Sequence, residues 1–252
     1  MSTIGWRIAP ILTLTIRQFL GGKAVRVIIG LSLIPVIFAA IYLLNTGAGT
    51  QIDYLVTWIY RDAVGPTLLP ITILILATGA LGNEIEDRTL PYLTLKPISR
   101  FRIVFEKVIA TIIVVAPIIM IGLAVSFFIV MRGAWNDNNN LRVLWALLAA
   151  SAAASVVYSA IFVLVSLLIS RALLAGIVYS IVWESVLGRF LPGIRYLMLH
   201  HYTESIFVDV INDKNVVLKN SFGLSAAVIT ILVAAALAIL ISTWRLLRMN
   251  LE

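Results

Sequence analysis

The chain has 252 residues, of which 61% are hydrophobic and only 12% charged. Soluble domains carry about 25% charged residues, so one water-soluble core cannot hide this much apolar surface, and lipid must be the solvent for most of the chain. Its 19 Lys and Arg against 12 Asp and Glu give a net charge of +7, and the absence of cysteine excludes disulfides, a thiolate nucleophile and Cys-ligated zinc or iron–sulfur sites.

In chain order, residues 3–20 come first. Ile8, Ile11, Leu12, Thr15, Ile16, Phe19 and Leu20 recur at helical spacing, while Arg7 and Arg17 fall elsewhere on the wheel. This pattern predicts an amphipathic helix in the membrane interface, within residues 1–22, broken at Gly21-Gly22. Six apolar runs follow, at about Val27–Leu44, Pro66–Leu81, Val108–Val130, Val143–Ile169, Ala172–Leu187 and Phe222–Trp244. A span needs roughly 20 apolar residues, so the second and fifth runs are short. The first run is too deep in the chain and too long for a signal peptide, and no clear small-residue cleavage site follows it. Segments 45–65 and 132–140 are expected to be external loops. The brief turn at Ser170-Arg171 makes the fourth and fifth spans antiparallel neighbours. The expected fold is therefore all-α and integral to the membrane, one transmembrane domain over 1–252, with six spans.

The charges give this arrangement a direction. Twelve of the 19 basic residues fall on the face that carries both termini, the loop between spans two and three, and the turn at Arg171. Seven fall on the other face, mostly within the long segment 188–221. Basic residues favour the cytosolic side in short loops, so both termini are expected in the cytosol. Basic residues scattered at helix ends do not make a nucleic-acid face.

The densest charge cluster is the cytosolic loop at 83–102 and its continuation to Lys107, which reads NEIEDRTLPYLTLKPISRFRIVFEK. Thr89 suits the N-cap of a short helix with Pro91 in its first turn, and the acids Glu84, Glu86 and Asp87 precede that terminus. Pro97 ends the helix, and Ser99 is placed to cap the next one. Read without any further comparison, the loop is a solvated connector that fixes topology. The order of residues adds to that. Glu84-x-Glu86, Thr89-Leu90, Leu93, Pro97-Ile98-Ser99-Arg100 and Lys107 together resemble the motif of the ABC type-two transporter permeases, at the family's position after the second span. Many relatives carry Gly before the Thr-Leu pair, where this chain has Arg88.

The resemblance implies a six-span permease with an N-terminal interfacial helix, a cytosolic coupling helix, and short helices between spans five and six that re-enter the outer leaflet. It implies that Glu84, Glu86, Thr89, Leu90, Tyr92 and Leu93 dock onto a separate ATPase subunit, which holds ATP and magnesium. A second permease chain, identical or paralogous, would share the translocation path. The expected setting is the cytoplasmic membrane of a prokaryote, and the expected direction is export.

Two features stand apart. Glu184, near the end of the fifth apolar run, is an acid at membrane depth. It reads either as a structural partner, paired with Arg189 or Arg195 or capping a helix, or as a group handling substrate or protons. Residues 194–211 are amphipathic, and Leu197, Met198, Phe207, Val210 and Ile211 could cover the membrane. His200 and Glu204 share a helical face, but two ligands are too few for a metal site. No P-loop, GxSxG or HExxH motif occurs, so no catalytic constellation and no bound cofactor is expected. The rival readings are an ion-coupled carrier or channel, and a non-transporting anchor or assembly factor.

Overall fold

The computed structural model describes residues 10–44, 50–86, 98–134, 137–187, 192–212 and 222–249. Among these residues every regular element is helical. The first described helix is α1 (Pro10–Gly21). Its buried residues Ile11, Thr15 and Phe19 repeat every four positions, and this stripe packs on α4. Gly22 then takes an extended conformation that separates α1 from the first span, as the Gly21-Gly22 pair predicts. Leu20, placed on the apolar stripe by its spacing, instead lies 63% exposed.

The first span, α2 (Lys23–Leu44), is interrupted at Leu33, between Lys23–Ser32 and Ile34–Leu44. Pro35 follows directly and cannot donate to the preceding turn. Helix α3 begins with a single turn at Gln51–Asp53, winds as a π-helix over Tyr54–Leu68, and returns to α geometry over Leu69–Glu86. The expected external loop at 45–65 is thus overturned from residue 51 onward. Thr50 caps the helix by accepting the Asp53 N–H at 3.3 Å. Tyr54, Leu55, Val56, Ile59, Tyr60 and Val64 are all buried, so packing overrides the polar look of Asp53, Arg61 and Asp62. Pro66 lies within the π segment, where its missing N–H weakens α geometry.

Helix α4 (Arg100–Val130) passes Pro117 without a break, α5 is Asn138–Leu168, α6 is Ala172–Leu187, α7 is Leu199–Ile211 and α8 is Leu224–Arg248. Five helices are long and apolar enough to cross a membrane, namely α2, α3, α4, α5 and α8. The fifth predicted span, α6, is a shorter apolar helix whose last nine residues, Tyr179–Leu187, are π-wound. The predicted run at Pro66–Leu81 is the C-terminal half of a much longer helix.

Burial sorts the spans. The apolar window of α3 is 72% buried, against 17% for α2 and 22% for α8. Helices α3, α4 and α5 therefore form the centre, and α2 and α8 pack around it. Small residues set the closest approaches, as usual between membrane helices. A Cβ at Gly122 of α4 would come 2.4 Å from the Ser32 carbonyl oxygen, so α2 touches α4 at its own break. A Cβ at Gly176 of α6 would meet Leu74 of α3 at 2.1 Å.

Candidate coupling face and buried polar seam

The end of the bundle that carries α1 and the 87–97 loop is held by three buried charges. Lys107 is completely buried in α4. Its ammonium reaches Glu84 Oε1 at 2.7 Å and also donates to the Ala80 carbonyl oxygen, both on α3. Lys107 thus lies inside the bundle, and the predicted start of the third span at Val108 moves back to Arg100. A lysine can bury its four-carbon stem here because the last turns of α3 supply a carboxylate and a carbonyl for its head.

Glu106, the neighbouring residue, faces elsewhere. One oxygen takes Arg102 Nε at 2.6 Å, and the other takes the backbone N–H of Leu12 in α1 at 2.9 Å. By accepting this N–H the carboxylate anchors α1 to α4. Ser99 caps α4 by accepting the Arg102 N–H at 3.4 Å, as its position after Pro97 predicts. The loop 87–97 is therefore bracketed by two fastened stems.

A second polar group occupies the interior further from this end. Glu184 is 3% exposed. It accepts the backbone N–H of Leu199 at 3.1 Å, the N–H of His200 at 3.1 Å and the Tyr179 hydroxyl at 2.7 Å. The carboxylate thus caps the N-terminus of α7, where free N–H groups and the helix dipole favour negative charge. Glu184 is twelve residues along from Ala172, at most about 18 Å from the α5–α6 turn at the helical rise.

From there α7 runs along α3 toward the N-terminal end of that helix. Glu204 Oε1 pairs with Arg61 Nε of α3 at 2.5 Å, and His200 Nε2 lies 3.7 Å from its other oxygen. Tyr60 stacks on Phe207 with ring centroids 4.0 Å apart, and it faces Thr203 and Glu204. Tyr158 of α5 faces Glu184, Tyr179 and Tyr60. A line of Arg61, Glu204, Tyr60, Tyr158 and Glu184 therefore runs through the bundle. The two π segments border it and are joined by the Thr67–Ser185 hydroxyl contact at 2.9 Å and the Ser185 bond to the Pro66 carbonyl at 3.2 Å. At Gly65 a Cβ would lie 2.4 Å from His200 Cε1, so glycine makes room for that ring.

Of the residues singled out from the sequence, Glu84 is buried in its pair with Lys107 and Glu86 is the last described residue of α3. Thr89, Leu90, Tyr92 and Leu93 lie outside the described residues, as do Arg189 and the predicted short helix of the loop. Glu184 is a helix cap, one of the two structural roles its sequence position allows. His200 and Glu204 do share a face, with Arg61 engaging the acid. The expectation that 194–211 covers a membrane surface is corrected for Met198, Phe207 and Ile211, which are buried in the core, whereas Leu197 is 67% exposed. Sequence reasoning missed the interior pairing of Lys107 and the roles of Glu106 and Arg61. The Arg102–Glu106 spacing of four was the one local signal; the other partners are 23, 94 and 143 positions away.

The profile of a family described as ABC-2 family transporter protein matches residues 22–189. The match starts at the Gly22 break and reaches just past α6, so it includes both stems of the 87–97 loop and Glu184. No curated protein matches the chain.

Proposed function

The chain belongs to the ABC-2 family of transporter proteins, and we propose on that footing that it is the membrane-spanning permease subunit of an ATP-driven exporter. In this reading the chain hydrolyses nothing itself. A separate ATPase subunit binds ATP and magnesium at the basic end, and a second permease chain completes the translocation path. Both termini face the cytosol of a prokaryotic cell.

The observation that carries the reading is the bracing of the 87–97 loop. A force applied to that loop by a partner enters α3 through Glu84 and α4 through Ser99, and the Glu84–Lys107 pair makes the two helices move together. Glu106 passes the same displacement to α1. Glu86, Thr89, Leu90, Tyr92 and Leu93 are then the docking residues, with Leu90 and Leu93 as the apolar anchors. Glu84 acts behind them as the stem that transmits the movement.

An ion-coupled carrier is the second reading, and the buried acids Glu184 and Glu204 favour it. Both acids have fixed partners within the chain, Leu199, His200 and Tyr179 for one and Arg61 for the other. That supports a structural use, which the ATP-driven reading accommodates.

The test is purification of the tagged chain from its native membrane in mild detergent, followed by identification of stoichiometric partners. An ATPase subunit at about 1:1 is expected, and the Leu90→Asp/Leu93→Asp variant should lose it while keeping its elution profile. Recovery of the chain without an ATPase, under conditions that preserve a known transporter complex, would transfer the assignment to the ion-coupled carrier.

A further inference from the structure

A cleft of about 1080 Å³ opens at the basic end of the bundle. Its walls come from three places: the end of α1 with the start of α2, the inner half of α3, and the α5–α6 turn. Ligand sites span roughly 300–1,000 Å³, so this cleft reaches the upper end of that range. Phe19, Ile75, Leu76, Ile169 and Leu174 give it a long apolar floor. Gly22, Gly79 and Gly82 also line it, and their lack of side chains keeps it open.

The polar groups of the cleft are unevenly charged. Lys23 and Arg171 both line it and both are exposed. The acid among its described lining residues, Glu84, already has its charge met by Lys107 at 2.7 Å. Thr78 and Ser166 spend their hydroxyls on the carbonyls of Leu74 and Val163. The cleft therefore offers two cations at its rim above an apolar interior. Lys23 begins the first span and Arg171 lies in the α5–α6 turn, so both stand at the ends of membrane helices, the level of lipid phosphates.

We infer that this cleft binds an anionic phospholipid of the inner leaflet, with the phosphate held by Lys23 and Arg171 and acyl chain along Ile75, Leu76, Ile169 and Leu174. The inference rests on the proposed orientation, which places this end in the cytosol. It does not depend on the ATPase partner. Bound there, the lipid joins α1 to α3 and α6 beside the stem of the 87–97 loop.

The experiment is native mass spectrometry of the full chain, titrated in detergent with phosphatidylglycerol or phosphatidylcholine of matched chains, with glycerol phosphate as a headgroup-only competitor. Phosphatidylglycerol is expected to bind tighter. A basic residue near an anionic surface contributes roughly a fivefold preference, so Lys23→Gln/Arg171→Gln should weaken it by about 30-fold and leave phosphatidylcholine unaffected. Gly79→Leu, which fills the floor and keeps both cations, should weaken both lipids. Elution profile and melting temperature verify folding, and Lys23→Arg/Arg171→Lys keeps the charge and should keep the binding. Equal binding of the two lipids, or phosphatidylglycerol binding that survives both the charge and the filling variants, would overturn the proposal. Full displacement by glycerol phosphate would assign the cations to a free phosphate ligand and overturn the lipid as occupant. Recovery of the unaltered chain without an ATPase in the partner test, with these results intact, would refute only the transporter reading.

Discussion

Lys107→Met removes the buried ammonium and keeps the length and most of the volume of the side chain. Glu84 then remains 8% exposed without the Lys107 ammonium, and the Ala80 carbonyl loses a donor as well. Breaking one side of a buried ion pair typically costs about 3–5 kcal/mol, because the remaining charge is stranded rather than because the pair itself is strong. At roughly 2–4 °C per kcal/mol for a chain near this size, the melting temperature should fall on the order of 10 °C. Glu84→Gln/Lys107→Met removes both charges, and should lie within about 1–2 kcal/mol of the wild type, since a neutral pair needs no compensation. The assay is thermal unfolding of the four members of this double-mutant cycle in one detergent, with the ATPase rate of the assembled complex as a second readout. If Lys107→Met loses less than about 1 kcal/mol, or the double variant is as unstable as the single one, the two stems are not joined by this pair. The transmission argument would fail with it.

Four other outcomes follow from the packing. Glu184→Ala uncaps α7 and should cost about 1–2 kcal/mol, with faster amide exchange at Leu199 and His200, while Glu184→Gln retains an acceptor and should lose less. Glu106→Gln weakens two charge-assisted bonds and should increase protease sensitivity near α1 before it changes the melting temperature. Gly122→Ala drives a Cβ against the backbone of Ser32, which cannot rotate away, and should cost about 1–3 kcal/mol. Gly176→Ala meets the end of the Leu74 side chain, which can change rotamer, so it should cost less in the same thermal assay.

The class of this protein was legible without coordinates, and so was much of its layout. A chain with 61% hydrophobic and 12% charged residues has one solvent that suits it. The length and spacing of apolar runs place helices because a bilayer requires every backbone group to be bonded internally. The Gly21-Gly22 break and the Ser99 cap are local features and were read from local sequence. Residues 51–65 were misread for the same reason: Asp53, Asp62 and Gly65 look like a loop when only neighbours are considered. Their helix is stabilised by burying Tyr54, Ile59 and Tyr60 against other helices, a contribution that no window of sequence contains.

The charged interior was decided by tertiary structure. From its place in the chain Lys107 reads as one more basic residue at a helix end, and Glu84 as one acid in an exposed cluster. Only the packing of α3 against α4 brings them to 2.7 Å. Glu184 was conspicuous from its depth, but its role depended on the chain returning fifteen residues later to place two N–H groups on it. Hydrophobicity is a sum over residues and survives in the sequence, whereas an ion pair or a cap is a distance, and distance exists only after the helices have packed.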